Sequence, residues 1–360
     1  MSIKDPKIIK EIEEQRPTVP PGLLSKEEKD RIIERSFLGL YRWYISRSQK
    51  TRNWNPNNDF DWRDFRTDHS EKMNIIMEGY FAIEQYVPDF VLQLLKVIRK
   101  SYGQSHFHIR WGAEEEKHSD LWLNTLLFSR HRSIKWINEY KHTLREKQWE
   151  LPWDNAMQMI FYTVVQERAT QVNYLNTAKI ARGNTDNPDF STDSDPVLAR
   201  VAQVIATDEA AHYNFFLEGA RLYLYYYPAQ ALEALHDVIK FFAMPAGDLI
   251  PDYDHFAEVV ARACIYGPRE HLRDVLDVAL KSLSVSGKTE LYKGIKRIRS
   301  VPKPDGTMLD TTIFDMMDYE GVTTKVHRLH DKISDYEKEI GIDQIDPTKF
   351  VPSGIQQTSS

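Results

Sequence analysis

Cysteine is almost absent from this chain, and glycine is scarce. The one cysteine, Cys264, cannot form an internal disulfide, and alone it cannot hold an iron–sulfur cluster or a cysteine-based zinc site. The 15 glycines in 360 residues are about 4% of the chain, below the usual ~7%. Aromatic residues make up 12%. Scarce glycine with many aromatic residues favours long helices over tight turns.

The chain also has no excess of positive charge and no long apolar run. A net charge of −6 argues against a nucleic-acid-binding protein, because a phosphate-binding surface usually makes a chain basic. No stretch of 18 residues is free of charge and strongly apolar, and the first residues, MSIKDPKIIKEIEEQ, carry no signal-peptide core. We therefore expect a globular protein of a reducing, cytoplasmic compartment with no membrane span.

Hydrophobic periodicity of the helical type covers most of the chain. Residues 1–25, with four prolines, are predicted to form an extended arm, and Ser25 with Glu28 forms a capping box that starts the first helix. The further helices predicted are 70–101 with a kink at Pro88, 104–130, 131–148, 153–182, 196–226, 228–243, 254–284 and one near 323–340. A polar loop is predicted at 183–196. The fold class expected is an all-α bundle with peripheral helices.

A Glu-x-x-His spacing places both side chains on one helix face, because residues three apart are neighbours on a helix. The motif occurs four times, so chance matches have to be separated from meaningful ones. Glu139/His142 and Glu233/His236 lie beside other charged residues and are predicted to be surface pairs. The other two pairs, Glu115/His118 and Glu209/His212, interrupt apolar stripes that face the core.

Two more helices each carry a lone glutamate on an apolar stripe, Glu84 and Glu167. The order along the chain is then a lone-Glu helix followed by a Glu-x-x-His helix, twice over. Burying a carboxylate costs several kcal/mol unless it is paired or bound to a metal. Buried Glu–His and Glu–Arg networks, with Arg168 beside Glu167 as one partner, would be one form of compensation.

Four glutamates and two histidines in this order are the ligand set of a carboxylate-bridged di-iron or di-manganese bundle. Carboxylates are hard, anionic ligands that can bridge two metals, whereas zinc prefers four-coordinate sites. The chain has no glycine-rich dinucleotide fingerprint and no cysteine cluster. An oxygen-activating site here would have to draw its electrons from a partner protein.

These residues lie in segments that resemble soluble acyl-acyl-carrier-protein desaturases of the stearoyl-ACP type. The matching segments are IEQYVP (83–88), WGAEEEKH (111–118), VVQERAT (164–170), IATDEAAH (205–212) and FFAMPAGDLI (241–250). The resemblance covers roughly residues 25–285. It implies a ferritin-like di-iron desaturase domain over 26–285, after the arm at 1–25 and before a divergent, partly irregular extension at 286–360.

The resemblance also implies roles for single residues. Thr170 would line the oxygen side of the site, Trp54 would lie on the electron path, and Asp208 would orient a ligand histidine. Glu115 is preferred to Glu114 and Glu116 because only it lies three residues before His118. The implied ligands of two Fe ions are Glu84, Glu115, His118, Glu167, Glu209 and His212.

Members of that family are homodimers that desaturate a saturated acyl chain on acyl carrier protein with electrons from ferredoxin. Because acyl carrier protein is acidic, a locally basic docking face is expected. The candidate basic clusters are Lys96, Arg99 and Lys100, and Lys293, Lys296, Arg297 and Arg299.

Three other functions share parts of the pattern. A di-iron oxygenase that hydroxylates an acyl chain or another apolar substrate has the same ligands and is the main alternative. A ribonucleotide reductase small subunit often uses an aspartate as its first ligand, and iron storage needs no extra helices. The aromatic residues from Tyr223 to Tyr227, with Phe241 and Phe242, instead favour an apolar substrate channel and a dimer face.

Overall fold

The structure is a computed structural model that describes residues 21–285, 301–302, 308–309 and 317–342. The helices are α1 (Lys26–Thr51), α2 (Glu71–Glu84), α3 (Val87–Ile98), α4 (Tyr102–Ser129), α5 (Ile134–Leu144), α6 (Ala156–Ala181), α7 (Pro196–Tyr226), α8 (Pro228–Phe241), α9 (Tyr253–Arg262), α10, which joins Pro268–Glu270, the π-helical His271–Leu276 and Asp277–Ser282, and α11 (Tyr319–Glu339). Two short strands, β1 (Val301–Pro302) and β2 (Met308–Leu309), pair antiparallel. The all-α prediction is confirmed. Most of the expected N-terminal arm and the basic cluster Lys293, Lys296, Arg297 and Arg299 lie outside the described residues.

Four helices form the central bundle, and the others cover it. The bundle consists of α2, α4, α6 and α7, with the most extensive contact between the two long helices α6 and α7. Helix α1 packs on α4 and α7, α3 on α4, α9 on α2, and α11 on α7 and α1. Among the described residues, no helix combines the length and apolar character that a membrane span needs.

Two predicted helices are broken in the structure. The stretch 70–101 divides into α2 and α3 at residues 85–86, so Pro88 lies in the first turn of α3 instead of kinking a continuous helix. Proline fits that position because the first helical N–H groups have no intrahelical acceptor. The stretch 254–284 breaks after α9, where Cys264 adopts a left-handed backbone conformation with φ of 54°.

The ends of helices α1 and α7 are fixed by side-chain caps. At α1, the Ser25 hydroxyl accepts from the Glu28 N–H and the Glu28 carboxylate accepts from the Ser25 N–H, which confirms the predicted capping box. At α7, Asp195 accepts from the backbone N–H groups of Val197 and Leu198 at 2.7 and 3.1 Å. Asp195 also accepts from the backbone N–H of Arg66, so the polar loop before α7 is tied to the segment before α2.

The aromatic residues at the end of α7 do not line the apolar cavity described below. Tyr225 stacks on Tyr319 of α11 with ring centroids 5.8 Å apart, and Tyr223 packs against Phe37 of α1. The channel part of the sequence prediction was therefore wrong for this run, because it could not show that α1 and α11 cover α7, whereas the dimer face stays a prediction. Of the aromatic residues named for the channel, Phe242 lines the cavity described below.

Candidate metal centre

The six predicted ligand side chains lie together in the middle of the four-helix bundle. Each is at least 95% buried. They form two overlapping groups whose ligand atoms lie within 4.8 Å of one another. Both groups contain Glu115 and Glu209. The first group is Glu84, Glu115, His118 and Glu209, and the second is Glu115, Glu167, Glu209 and His212.

Both imidazole rings turn the same nitrogen to the carboxylates. His118 Nδ1 lies 3.0 Å from Glu115 Oε2 and 3.5 Å from Glu209 Oε1. His212 Nδ1 lies 2.9 Å from Glu115 Oε1 and 3.5 Å from Glu167 Oε2. Glu115 therefore has one oxygen facing each histidine, which is the arrangement expected of a carboxylate that bridges two ions.

Several polar atoms of this cluster are buried without a well-aligned hydrogen bond, although His212 Nδ1 and Glu115 Oε1 lie 2.9 Å apart. The buried atoms are Glu115 Oε1, Glu167 Oε2, Glu209 Oε1 and His212 Nδ1. Such orphaned atoms are rare in folded proteins because each costs about 1–3 kcal/mol. The four orphaned atoms lie in one cluster and are all carboxylate oxygens or an imidazole nitrogen, which bind metals. They fit a site for two cations.

Two of the carboxyl groups, Glu84 and Glu209, have raised pKa values because they are buried close to other carboxylates. Burial, together with the charge of Glu115, raises the pKa of Glu84 to about 8. Burial, together with Glu115 and Glu167, raises the pKa of Glu209 well above its usual range. Bound cations would favour the ionised carboxylates and reverse these shifts.

The far nitrogen of each histidine is paired with a second buried carboxylate. His118 Nε2 lies 3.3 Å from Asp208 Oδ2, and His212 Nε2 lies 3.0 Å from Glu114 Oε2. A histidine that donates from Nε2 keeps the Nδ1 lone pair free for a metal. Asp208 was predicted for this role, whereas Glu114 was missed.

Arg52 connects the two outer carboxylates. Its Nη1 donates to Glu114 Oε2 at 3.0 Å and to Asp208 Oδ1 at 2.9 Å. Glu114 also accepts from Tyr44 OH at 2.6 Å and from Arg110 Nε at 2.9 Å. The sequence signal for Glu114 is Arg110 four residues before it, but a salt bridge at that spacing is also common on exposed helix faces.

Trp54 connects this network to the protein surface. Its indole Nε1 donates to Asp208 Oδ2 at 3.1 Å, and its ring lies nearly parallel to that of His118 with centroids 6.1 Å apart. Trp54 is half-buried, and Lys117 Nζ lies 4.1 Å from its ring centroid. The order from the surface inward is therefore Trp54, Asp208, His118 and the carboxylate cluster.

Three other side chains contact the cluster from inside the bundle. Thr170 Oγ1 lies 3.4 Å from Glu209 Oε2, as expected of a residue beside the site. Tyr174 donates to Glu84, and Trp111 Nε1 donates to Glu167 at 3.0 Å. Tyr174 and Trp111 were missed, because aromatic residues on apolar stripes are usually core residues.

Arg168, the alternative partner for Glu167, points away from the cluster. It donates to the backbone carbonyl of Asp274 at 2.9 Å and to the side chain of Gln171. The Glu–Arg pair considered from the sequence is therefore wrong. In the other two Glu-x-x-His motifs, Glu139, His142 and Glu233 are exposed and His236 is half-buried, which confirms them as surface pairs.

An apolar cavity of about 440 Å³ lies beside the cluster. Its inner wall includes Ile83, Thr170 and Tyr174, and a smaller cavity of about 20 Å³ lies beyond Ile83 and Thr170. The smaller cavity is lined by Glu84, Glu115 and Glu209 together with aromatic and aliphatic side chains. The volume of the larger cavity, about 440 Å³, is typical of small-ligand sites.

The chain is similar in sequence to several named desaturases. DesA1 of Mycobacterium tuberculosis, named as an acyl-[acyl-carrier-protein] desaturase, is 22% identical over 250 residues, which cover 63% of this chain and 70% of DesA1. The chloroplastic stearoyl-[acyl-carrier-protein] 9-desaturase 1 of Oryza sativa subsp. indica is 28% identical over 222 residues, 58% of this chain and 55% of the rice protein. The chain thus spans about half the length of this plant relative.

A solved structure shows the same fold. The X-ray structure of DesA2 from Mycobacterium tuberculosis, titled as an acyl-ACP desaturase, superposes with a TM-score of 0.50 at 16% sequence identity, over 72% of this chain and 98% of DesA2. Residues 58–301, about two thirds of the chain, match the sequence profile described as fatty acid desaturase. The chain therefore belongs to the fatty acid desaturase family.

Proposed function

We propose that this protein introduces a double bond into a saturated fatty acyl chain carried by acyl carrier protein, at a di-iron centre that uses O2 and electrons from a ferredoxin-like donor. The observation that carries the proposal is the buried cluster of four glutamates and two histidines, with orphaned ligand atoms, beside an apolar cavity. The names of its relatives support the carrier-bound substrate.

The two overlapping groups divide the ligands between two ions. Glu84 and His118 would hold one ion, Glu167 and His212 would hold the other, and Glu115 with Glu209 would bind both. A bound di-iron pair would supply, together with O2, the oxidising power needed to remove two hydrogens from adjacent methylenes. Asp208 and Glu114 hold the histidines with Nδ1 turned inward.

The cavity positions the substrate. Its apolar wall takes up the alkyl chain and excludes water, so that one pair of methylenes lies beside Thr170 and the carboxylates. The Thr170 hydroxyl donates a hydrogen bond to the Gln166 carbonyl at 2.8 Å. The same oxygen lies 3.4 Å from Glu209 Oε2. Thr170 thus lies where the substrate cavity meets the cluster, with its hydroxyl proton engaged within its own helix.

Two surfaces would serve the protein partners. The half-buried Trp54 with Lys117 lies at the outer end of the line to His118, where an acidic electron donor would approach. Lys96, Arg99 and Lys100 are exposed at the end of α3 and form a basic patch for an acidic carrier. Reversing their charge should raise the KM for the acyl carrier substrate at low salt. An unchanged KM would exclude this patch as the docking site.

The test is a product assay with mass spectrometry. Iron-loaded protein is incubated with saturated acyl-ACP, a ferredoxin reducing system and oxygen, with Glu115→Ala as the matched control. A fatty acid lacking two hydrogens, absent from the control, supports the proposal and locates the double bond. A product that gains oxygen identifies a hydroxylase with the same site, and no product at all contradicts the proposed substrate.

A further inference from the structure

The large cavity is open at one end and closed against the metal-binding cluster at the other. Ala261 and Pro268, which line the open end, are exposed, and Tyr266 and His271 are half-buried there. Thr170, on the inner wall, is 6% exposed. A substrate that enters this cavity therefore meets the turn between α9 and α10 first.

The inner hydroxyl groups of the cavity wall are already engaged within the protein. Tyr80 OH shares a hydrogen bond with Thr177 at 2.9 Å, and Tyr174 donates to Glu84. Thr170 donates to the Gln166 carbonyl. The inner part of the cavity consequently presents an apolar wall to its ligand.

The open end carries a different kind of group, a Tyr–His pair. Tyr266 OH lies 2.7 Å from His271 Nδ1, and the His271 ring stacks on Phe242 with centroids 5.3 Å apart. Burial lowers the pKa of His271, so the imidazole is neutral at pH 7. A neutral phenol and a neutral imidazole have two polar protons between them, and their mutual bond uses only one. One donor of the pair remains for a ligand.

We propose that the Tyr266–His271 pair donates a hydrogen bond to the carbonyl oxygen of the acyl thioester and so holds the polar end of the substrate at the cavity mouth. This inference rests on the proposed function, because it takes an acyl thioester as the substrate. The alkyl chain then runs inward along the apolar wall, past Thr170 to the carboxylates. The pair acts as a binding and specificity determinant and takes no part in the redox chemistry.

The test compares two ligands that differ by one carbonyl group, palmitoyl-pantetheine and its hexadecyl thioether analogue. We expect wild-type protein to bind the thioester about three- to tenfold more tightly, which is the effect of one neutral hydrogen bond. The double variant Tyr266→Phe/His271→Phe keeps both rings but removes every donor. It should bind both ligands equally, with the affinity for the thioether unchanged.

Three further variants make the result decisive. Tyr253→Phe removes a hydroxyl from the same cavity wall and should keep the wild-type preference. If the double variant does not fold, each single variant should reduce the preference, because the remaining donor loses its orienting partner. The proposal would be overturned if the wild type did not prefer the thioester, or if the double variant kept the wild-type preference. It would also be overturned if the double variant bound both ligands more weakly by the same factor.

The binding assay needs no turnover, so the two proposals fail separately. A retained thioester preference without any desaturated product would contradict the reaction and leave the pair in place. Desaturated product without a thioester preference would contradict the pair alone.

Discussion

Helices α4 and α7 carry the two buried Glu-x-x-His motifs, but the rest of the protein holds His118 and His212 differently. The partner of His118, Asp208, is reached by Trp54, which is half-buried and next to Lys117. The partner of His212, Glu114, is held by side chains from α1, the turn after α1 and α4, of which Arg110 is half-buried. The donors that surround Glu114 are Tyr44, Ser48, Arg52 and Arg110.

This difference shows that a repeated motif can have different surroundings. The motif sets which side chains face the cluster, whereas the outer partner sets what each histidine contacts. One half of the site contacts the half-buried indole of Trp54, and the other half contacts a network of charged groups. The following predictions separate what the halves share from what each does alone.

The largest effect is expected where the halves overlap. Glu115 belongs to both ligand groups, whereas Glu84 belongs to one. Glu115→Ala should bind well under one iron per chain and lose product formation by more than about 100-fold, since even removal of outer partners costs 10–100-fold. Glu84→Ala should retain about one iron. Metal analysis after reconstitution and buffer exchange measures both. Equal iron content in the two variants would contradict a shared Glu115.

The next effect concerns stability and should differ between the halves. Burial alone would raise the pKa of Glu114, but His212, Arg52 and Ser48 outweigh it and hold the pKa well below its usual range. Glu114→Ala leaves buried cations without their partner and should destabilise the metal-free protein by about 3–5 kcal/mol. Asp208→Ala should cost less, because Arg52 keeps its bond to Tyr44 and to Glu114.

Glu116→Ala is the matched control for that comparison. It removes a neighbouring glutamate that is exposed on the same helix and should change stability by less than about 0.5 kcal/mol. Urea denaturation followed by circular dichroism measures all three. If Asp208→Ala lowered the free energy of unfolding as much as Glu114→Ala does, the two outer carboxylates would contribute equally to stability.

Electron delivery should depend on the His118 half alone. Trp54→Phe keeps an aromatic ring but loses the N–H that donates to Asp208. Donor-driven turnover should fall about tenfold, at unchanged iron content. Tyr44→Phe removes a comparable bond to Glu114 and should leave donor-driven turnover within about twofold. A chemical reductant in single-turnover experiments should restore the Trp54→Phe rate. Failure to restore it would place Trp54 outside the electron path.

The same two halves also show which site residues can be predicted from the sequence. Glu84, Glu167 and the two Glu-x-x-His pairs were identified because carboxylates on apolar stripes demand compensation, and the structure brings them together. Glu114 was set aside as a ligand and given no other role. Its neighbours depend on how α1 packs across α4, and helical periodicity carries no information about that packing. Arg52, in the turn after α1, was missed for the same reason.

The smallest effect is expected at the starts of α4 and α7, the helices that carry His118 and His212. Asp195 caps α7 with two backbone hydrogen bonds and also pairs with His69, whereas Ser101 at the start of α4 makes no side-chain cap. Asp195→Ala should therefore destabilise the protein by about 1–2 kcal/mol. Ser101→Ala should cost less than half of that. Equal losses of stability in Asp195→Ala and Ser101→Ala would mean that the Asp195 cap contributes no extra stability to the start of α7.

The pH dependence of the Asp195 effect follows from the direction of its pKa shift. Burial alone would raise the pKa, but the bond to His69 and the backbone N–H groups of Arg66 and Leu198 lower it. A carboxylate with a lowered folded-state pKa contributes stability that is present above the unfolded pKa of about 3.9 and is lost as the pH falls through the folded-state pKa. The stability gap between wild type and Asp195→Ala should thus be constant from pH 7 to about pH 5 and shrink below pH 4. A gap that widens in acid would show that the carboxylate is not the group that holds α7 to the segment before α2.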